Sequence, residues 1–89
     1  MYEKKTKIVN SLGIHARPAS LLVKLASQFE SKVELEKNNI EVNAKSIMGI
    51  LMLASEKGQE IIVRAEGNDE EKAVNAIVDL IEKRKFDEE

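Results

Sequence analysis

The chain contains no cysteine, a single proline and a single histidine. Without cysteine neither a disulfide nor a thiolate metal centre can brace the fold, and with one histidine no familiar transition-metal site can assemble, so no metal is expected. Long apolar runs are missing too. Nothing approaches the roughly 20 residues needed to cross a bilayer, and Met1-Tyr2-Glu3-Lys4-Lys5 leads into no signal-peptide-like segment. No membrane insertion and a cytoplasmic location are therefore expected. Basic excess is likewise absent: 14 Lys and Arg stand against 16 Asp and Glu for a net charge of -2, which argues against direct nucleic-acid binding. No glycine-rich nucleotide loop or Mg²⁺ carboxylate set is visible, so no cofactor is expected. Internal repeats, low-complexity tracts and linkers are lacking, and 89 residues suffice for one modest core, so residues 1–89 read as a single domain.

What the chain does have is short-period patterning. Lys4 to Asn10 alternates weakly, with Thr6 and Ile8 on one face, and Ser11-Leu12-Gly13 ends this first strand. From Ala16 onward, Ala19, Leu22, Leu25, Ala26 and Phe29 recur at helical spacing. Lys32 to Lys37 alternates around Val33 and Leu35, Asn38-Asn39 supplies residues that tolerate positive φ, and Ile40 and Val42 resume the alternation, which is a hairpin. Ser46 is placed to cap a short apolar helix from Ile47 to about Leu53. Glu60 to Glu66 is the clearest strand, with Ile61, Val63 and Ala65 opposed to Ile62, Arg64 and Glu66.

The last helix has the best-marked ends. Gly67-Asn68 offers a break and a cap, Asp69, Glu70 and Glu71 put negative charge at its start, and Lys83, Arg84 and Lys85 close it with the opposite sign. Ala73, Val74, Ile77, Val78, Leu80 and Ile81 form its apolar stripe. Asp87-Glu88-Glu89 is expected to fray. The order β-α-β-β-α-β-α with half-apolar strands implies an α+β fold, a sheet with one face covered by helices and the other more open.

Two segments carry chemistry. Gly13-Ile14-His15-Ala16-Arg17-Pro18-Ala19 places the lone histidine where a loop becomes a helix. The first N–H groups of a helix, that of Ala16 among them, have no intrahelical partner and carry partial positive charge, so an anion beside them is stabilised. Arg17 adds a full positive charge, and Pro18 suits the first turn because the amide it lacks has no partner there. A lone histidine at such a place commonly serves as a simple cap; the cationic setting instead suits an imidazole that receives a phosphoryl group. Ser46 reads as a helix cap, a common role for serine ahead of an apolar run, and a phosphate at such a position would add surface charge without unfolding the helix.

The first segment resembles the active-site motif of the histidine-containing phosphocarrier family, HPr, of the phosphoenolpyruvate-dependent sugar phosphotransferase system. Lys45-Ser46-Ile47-Met48-Gly49 resembles the regulatory serine region of its Gram-positive-type members. Two such motifs at this separation span essentially the whole chain and are far more specific than either alone. The resemblance implies a four-stranded antiparallel sheet of order β1-β4-β2-β3 with three helices on one side. It implies a phosphocarrier rather than an enzyme: Nδ1 of His15 accepts a phosphoryl group from enzyme I and donates it to sugar-specific enzyme IIA proteins, with Arg17 and the Ala16 amide holding the phosphate. It further implies Ser46 phosphorylation by an HPr kinase, recognition of the product by a catabolite-control transcription factor, and Ile47, Met48 and Leu51 as partner contacts. Leu12 stands where many members carry a small polar residue, and Leu51 and Met52 where many carry methionine and serine. Two other readings remain open, an HPr-like carrier of a nitrogen-related or dihydroxyacetone phosphotransferase chain, and a regulatory module acting mainly through phospho-Ser46. Proteins of the latter kind characteristically lack the histidine that is present here.

Overall fold

Alternation with a period of two gives each strand one face to bury and one to wet, and the apolar stripes of the helices supply the cover. In the computed structural model, which describes residues 1–53 and 55–87, the order is β1 (Tyr2–Lys7), α1 (Ala16–Ala26), β2 (Lys32–Lys37), β3 (Ile40–Asn43), α2 (Ile47–Met52), β4 (Glu60–Glu66), α3 (Glu70–Glu82) and a short turn at Lys85–Asp87. The strands form one antiparallel sheet of order β1-β4-β2-β3, as expected. Central β4 pairs on both sides, with Val63 opposite Lys4 of β1 and Leu35 of β2. Its alternate residues Ile61, Val63 and Ala65 are buried with Val33 and Leu35 against Leu22, Val74, Ile77 and Ile81 of the helices. On the opposite face Arg64 binds Glu3 of β1, Glu36 of β2 and Glu41 of β3, so one guanidinium spans the sheet. Glu3 foremost, and Glu36 after it, raise its pKa further. Among the described residues no helix is long and apolar enough to cross a membrane.

Several boundaries differ from the sequence expectation. β1 begins at Tyr2 and ends at Lys7 instead of running from Lys4 to Asn10. Its charged start is a strand because Tyr2 and Glu3 pair with Ala65 and Arg64. Beyond Lys7 the chain leaves the ladder, with the Ile8 N–H donating to Gln59 at 3.0 Å and the Ile8 carbonyl accepting from Gly58 at 2.8 Å. α1 ends at Ala26, so Phe29 lies beyond it, half-buried against the core. The N-cap position of α3 is Asp69, not Gly67-Asn68, and the Asp69 carboxylate bonds away from its own helix. It accepts from the Glu30 and Ser31 amides at 3.0 Å and from the Ser31 hydroxyl at 2.5 Å, tying the α1–β2 turn to the start of α3. The Glu70 carboxylate instead reaches back to the Gly67 N–H at 3.1 Å.

The chain beyond α3 does not simply trail away. Lys85, Phe86 and Asp87 adopt left-handed φ values of 51°, 55° and 56°, which folds the Phe86 ring into the core where it is fully buried. Asp87, expected to fray, is held by Arg84 at 3.1 and 2.8 Å. Glu88 and Glu89 of the same expectation lie outside the described residues.

Candidate functional site

The segment between β1 and α1 is anchored at Asn10, Gly13 and Ile14, while Ser11 and Leu12 between them are exposed. Asn10 is buried, and its Nδ2 donates to the Gly13 carbonyl at 2.7 Å. The Gly13 N–H returns to the Asn10 carbonyl at 3.3 Å, closing a tight turn whose tip leaves Leu12 exposed. Gly13 is held at φ +70°, and a Cβ there would stand 2.5 Å from the Ser55 carbonyl oxygen. Only glycine tolerates both conditions. The next amide, that of Ile14, donates to the same Ser55 carbonyl at 2.9 Å, and the Ile14 side chain enters the core.

His15 follows as the N-cap of α1, with extended backbone and no cap bond from its side chain. Its carbonyl accepts the first helical hydrogen bond, from Ala19 at 2.9 Å. The N–H groups of Ala16 and Arg17 therefore have no intrahelical acceptor, and Pro18 has no N–H at all. His15, Ala16 and Arg17 are exposed while Pro18 is buried beneath them. The helix start thus gathers an exposed imidazole, two amides without an intrahelical acceptor and a guanidinium within three consecutive residues. Such a group suits a bound anion, and among the described residues His15, Ala16 and Arg17 all stay exposed. A groove of about 600 Å³ lined by Lys4, Asn75, Val78, Asp79 and Glu82 contains none of these residues. The C-terminal turn also faces this end of α1: Arg84 first, and Arg17 more weakly, hold the Asp87 carboxyl below the usual carboxylate range.

Ser46 caps α2 as expected, its hydroxyl accepting from the Gly49 N–H at 3.2 Å. Lys45 beside it donates from Nζ to the Phe29 carbonyl at 2.8 Å. α2 packs against α1 and buries Ile50, with Leu53 just beyond it. Its other side is open: Ile47, Met48 and Leu51 are exposed at 43%, 71% and 36%, and Met52 joins them at 75%. Together with Leu12 these residues leave more apolar side chain in water than so short a helix needs for its own docking. The Ser55 carbonyl, reached shortly after α2, is the bond that ties this region to the histidine loop.

Asn10, Ser55 and Asp87 are parts of this site that the sequence did not single out. Asn10 carries a readable signal in hindsight, since asparagine three residues before a glycine is a common turn opener. The Ser55 contact is long-range and has no local signature.

Comparison with known proteins identifies the family. The family model described as the PTS HPr component phosphorylation site matches residues 2–83. The phosphocarrier protein HPr of Treponema pallidum is 46% identical over 89 residues, the full length of both chains. A crystal structure of HPr from Thermoanaerobacter tengcongensis superposes with a TM-score of 0.94 at 52% identity, covering 100% of this chain and 99% of that one. That of the catabolite repression protein Crh of Bacillus subtilis gives 0.76 at 40% identity, covering 93% and 95%. The chain belongs to the HPr family, phosphocarriers of the phosphotransferase system rather than catalysts in their own right.

Proposed function

We propose that this chain relays phosphoryl groups between proteins through His15. The observation that carries the reading is the exposed, uncommitted imidazole at the start of α1, beside the Ala16 and Arg17 amides and the Arg17 guanidinium. Neutral His15, protonated on Nε2, attacks the phosphorus of a phosphohistidine on enzyme I with its Nδ1 lone pair. The new P–N bond forms as the old one breaks, and the electron pair of the old bond stays on the departing imidazole, so no proton need move. The helix amides and Arg17 neutralise the dianion in both states, which keeps the step reversible. The same exchange in the other direction charges a histidine on an enzyme IIA protein, the sugar-specific branch of the system. The exposed Ile47, Met48 and Leu51 side chains give these partners an apolar footing.

Ser46 adds control. The half-buried hydroxyl caps α2 next to the exposed Ile47 and Met48, and a phosphate there would add up to about two negative charges. That charge repels the acidic surface expected of enzyme I and offers a catabolite-control transcription factor an anion to grip, with an HPr kinase as its source. Likeness to a catabolite repression protein at 40% identity supports this second role. The cytoplasm is the compartment where all these partners meet.

Incubation with enzyme I and phosphoenolpyruvate tests the relay. The wild-type chain should take one acid-labile phosphate, His15→Ala none, and Arg17→Ala should be charged more slowly while folding normally. Labelling that persists in His15→Ala would sink the assignment.

A further inference from the structure

We propose that Asn10 is a positioning residue for the His15 reaction, fixing the Gly13–Ile14 peptide so that the imidazole and the first amides of α1 face the incoming phosphoryl group in a set register. This rests on the relay through His15. The two polar groups of that single peptide unit are held from different parts of the fold. Its carbonyl accepts from Asn10 Nδ2 at 2.7 Å, and its N–H donates to the Ser55 carbonyl at 2.9 Å. With both ends tied, the peptide plane cannot rotate, and His15 is the next residue along the chain. A carbonyl can only accept, so the Asn10 carboxamide must present its NH₂ to Gly13, which fixes its orientation.

The rest of the Asn10 environment argues against a purely stabilising role. The residue is 1% exposed, and its Oδ1 has no hydrogen-bond partner among the described residues. A buried acceptor left unpaired costs stability that an apolar side chain of the same size would not. The side chain thus leaves one acceptor unsatisfied in order to donate to the peptide that precedes His15. Ser55, which accepts from the other end of that peptide, buries a hydroxyl in the same condition, its Oγ also without a partner. Asn10 and Ser55, the two supports of the Gly13–Ile14 peptide, thus each bury a polar atom that has no partner among the described residues. The pairing makes sense where geometry is worth more than packing.

Rapid-quench measurement of charging by phosphorylated enzyme I, over a range of enzyme I concentrations, tests the inference. Asn10→Leu keeps the branched outline of the side chain without the donor, and Asn10→Ala serves should the larger residue disturb folding. Displacement of reacting groups by about an ångström costs up to ~100-fold, so partial release of one peptide should lower kcat about tenfold. KM should stay within about twofold, because Asn10 is buried and touches no partner. Ile81→Val, a mild core change in α3, supplies the comparison for stability loss alone and should keep the wild-type kcat. Hydrogen exchange of the Ile14 amide, followed without enzyme I, should speed up in both Asn10 variants. If the wild type is charged at His15 but both Asn10 variants match its kcat, or if they lose only KM, Asn10 is structural and the inference is overturned. If the wild type itself takes no phosphate on His15, the relay fails and the inference goes with it.

Discussion

Replacing Gly13 with alanine should damage the protein twice, in stability and in transfer. The new Cβ would lie 2.5 Å from the Ser55 carbonyl oxygen and 3.0 Å from Glu56 Cα, both of them backbone, so no side chain can swing aside. Holding a non-glycine residue at φ +70° costs about 1–2 kcal/mol. Pushing the 55–56 segment away weakens the Ile14 to Ser55 hydrogen bond, worth another ~0.5–1.5 kcal/mol. Against this, alanine reduces the entropy of the unfolded chain by about 0.4–1 kcal/mol. The balance is a net loss of about 0.5–3 kcal/mol. For a chain of this size each kcal/mol moves the melting temperature by about 4–8 °C. Urea unfolding followed by circular dichroism gives the stability directly, with the m-value expected to stay constant. Charging by enzyme I should slow even under conditions where the variant is fully folded, since His15 lies two residues from the displaced backbone. A loss below about 0.5 kcal/mol would mean that the turn yields easily. His15 would then not be held on a rigid support.

Three further outcomes follow from other contacts. Phe86→Ala empties a fully buried aromatic position and should cost about 3–5 kcal/mol; a near-neutral result by urea unfolding would show that the C-terminal turn is not packed. The Ser31 hydroxyl first, and the Glu30 amide next, hold the Asp69 carboxyl below its usual 3.8. The native state thus favours the anion: its contribution is present above that value and fades as pH falls through the lower native one. The stability gap between wild type and Asp69→Asn should therefore shrink on acidification below pH ~4, and a gap that stays constant across that range would contradict the account. Ser46→Asp preserves a good N-cap while adding charge, so it should keep the melting temperature within a few degrees yet slow charging of His15; wild-type charging kinetics, in this variant and in the genuine phosphoserine protein, would reduce Ser46 to a cap.

Where the folding information is local, the sequence could be read closely. The Asn38-Asn39 turn was visible because asparagine tolerates the φ values of 53° and 66° found there. β4 was visible because its alternation is unbroken and both of its neighbours bury the same face. Ser46 stood out as a cap because an apolar helical run follows it at once. What was hidden depends on distant partners. The start of β1 reads as a charged tail until Arg64 gathers Glu3 with Glu36 and Glu41. Asp69 looks like a first-turn carboxylate until Ser31 claims it. Phe86 follows a basic run, Lys83-Arg84-Lys85, that closes a helical pattern, and only the left-handed turn shows that it returns to the core. At the candidate site the His15 segment itself is legible, since histidine, arginine and proline mark a helix start within the four positions from His15 to Pro18. Its supports are not, because Asn10 sits in what looks like a strand and Ser55 lies forty residues away along the chain.

The central claim, that phosphate passes reversibly through Nδ1 of His15, is tested most directly by ³¹P NMR of the chain charged by enzyme I and then mixed with an enzyme IIA protein. The account predicts one resonance, coupled to the His15 ring in the pattern of an Nδ1-phosphohistidine, which vanishes from this chain as the same phosphate appears on enzyme IIA. A resonance on Nε2 or on a hydroxyl, or a His15 phosphate that no enzyme IIA protein can remove, would contradict it.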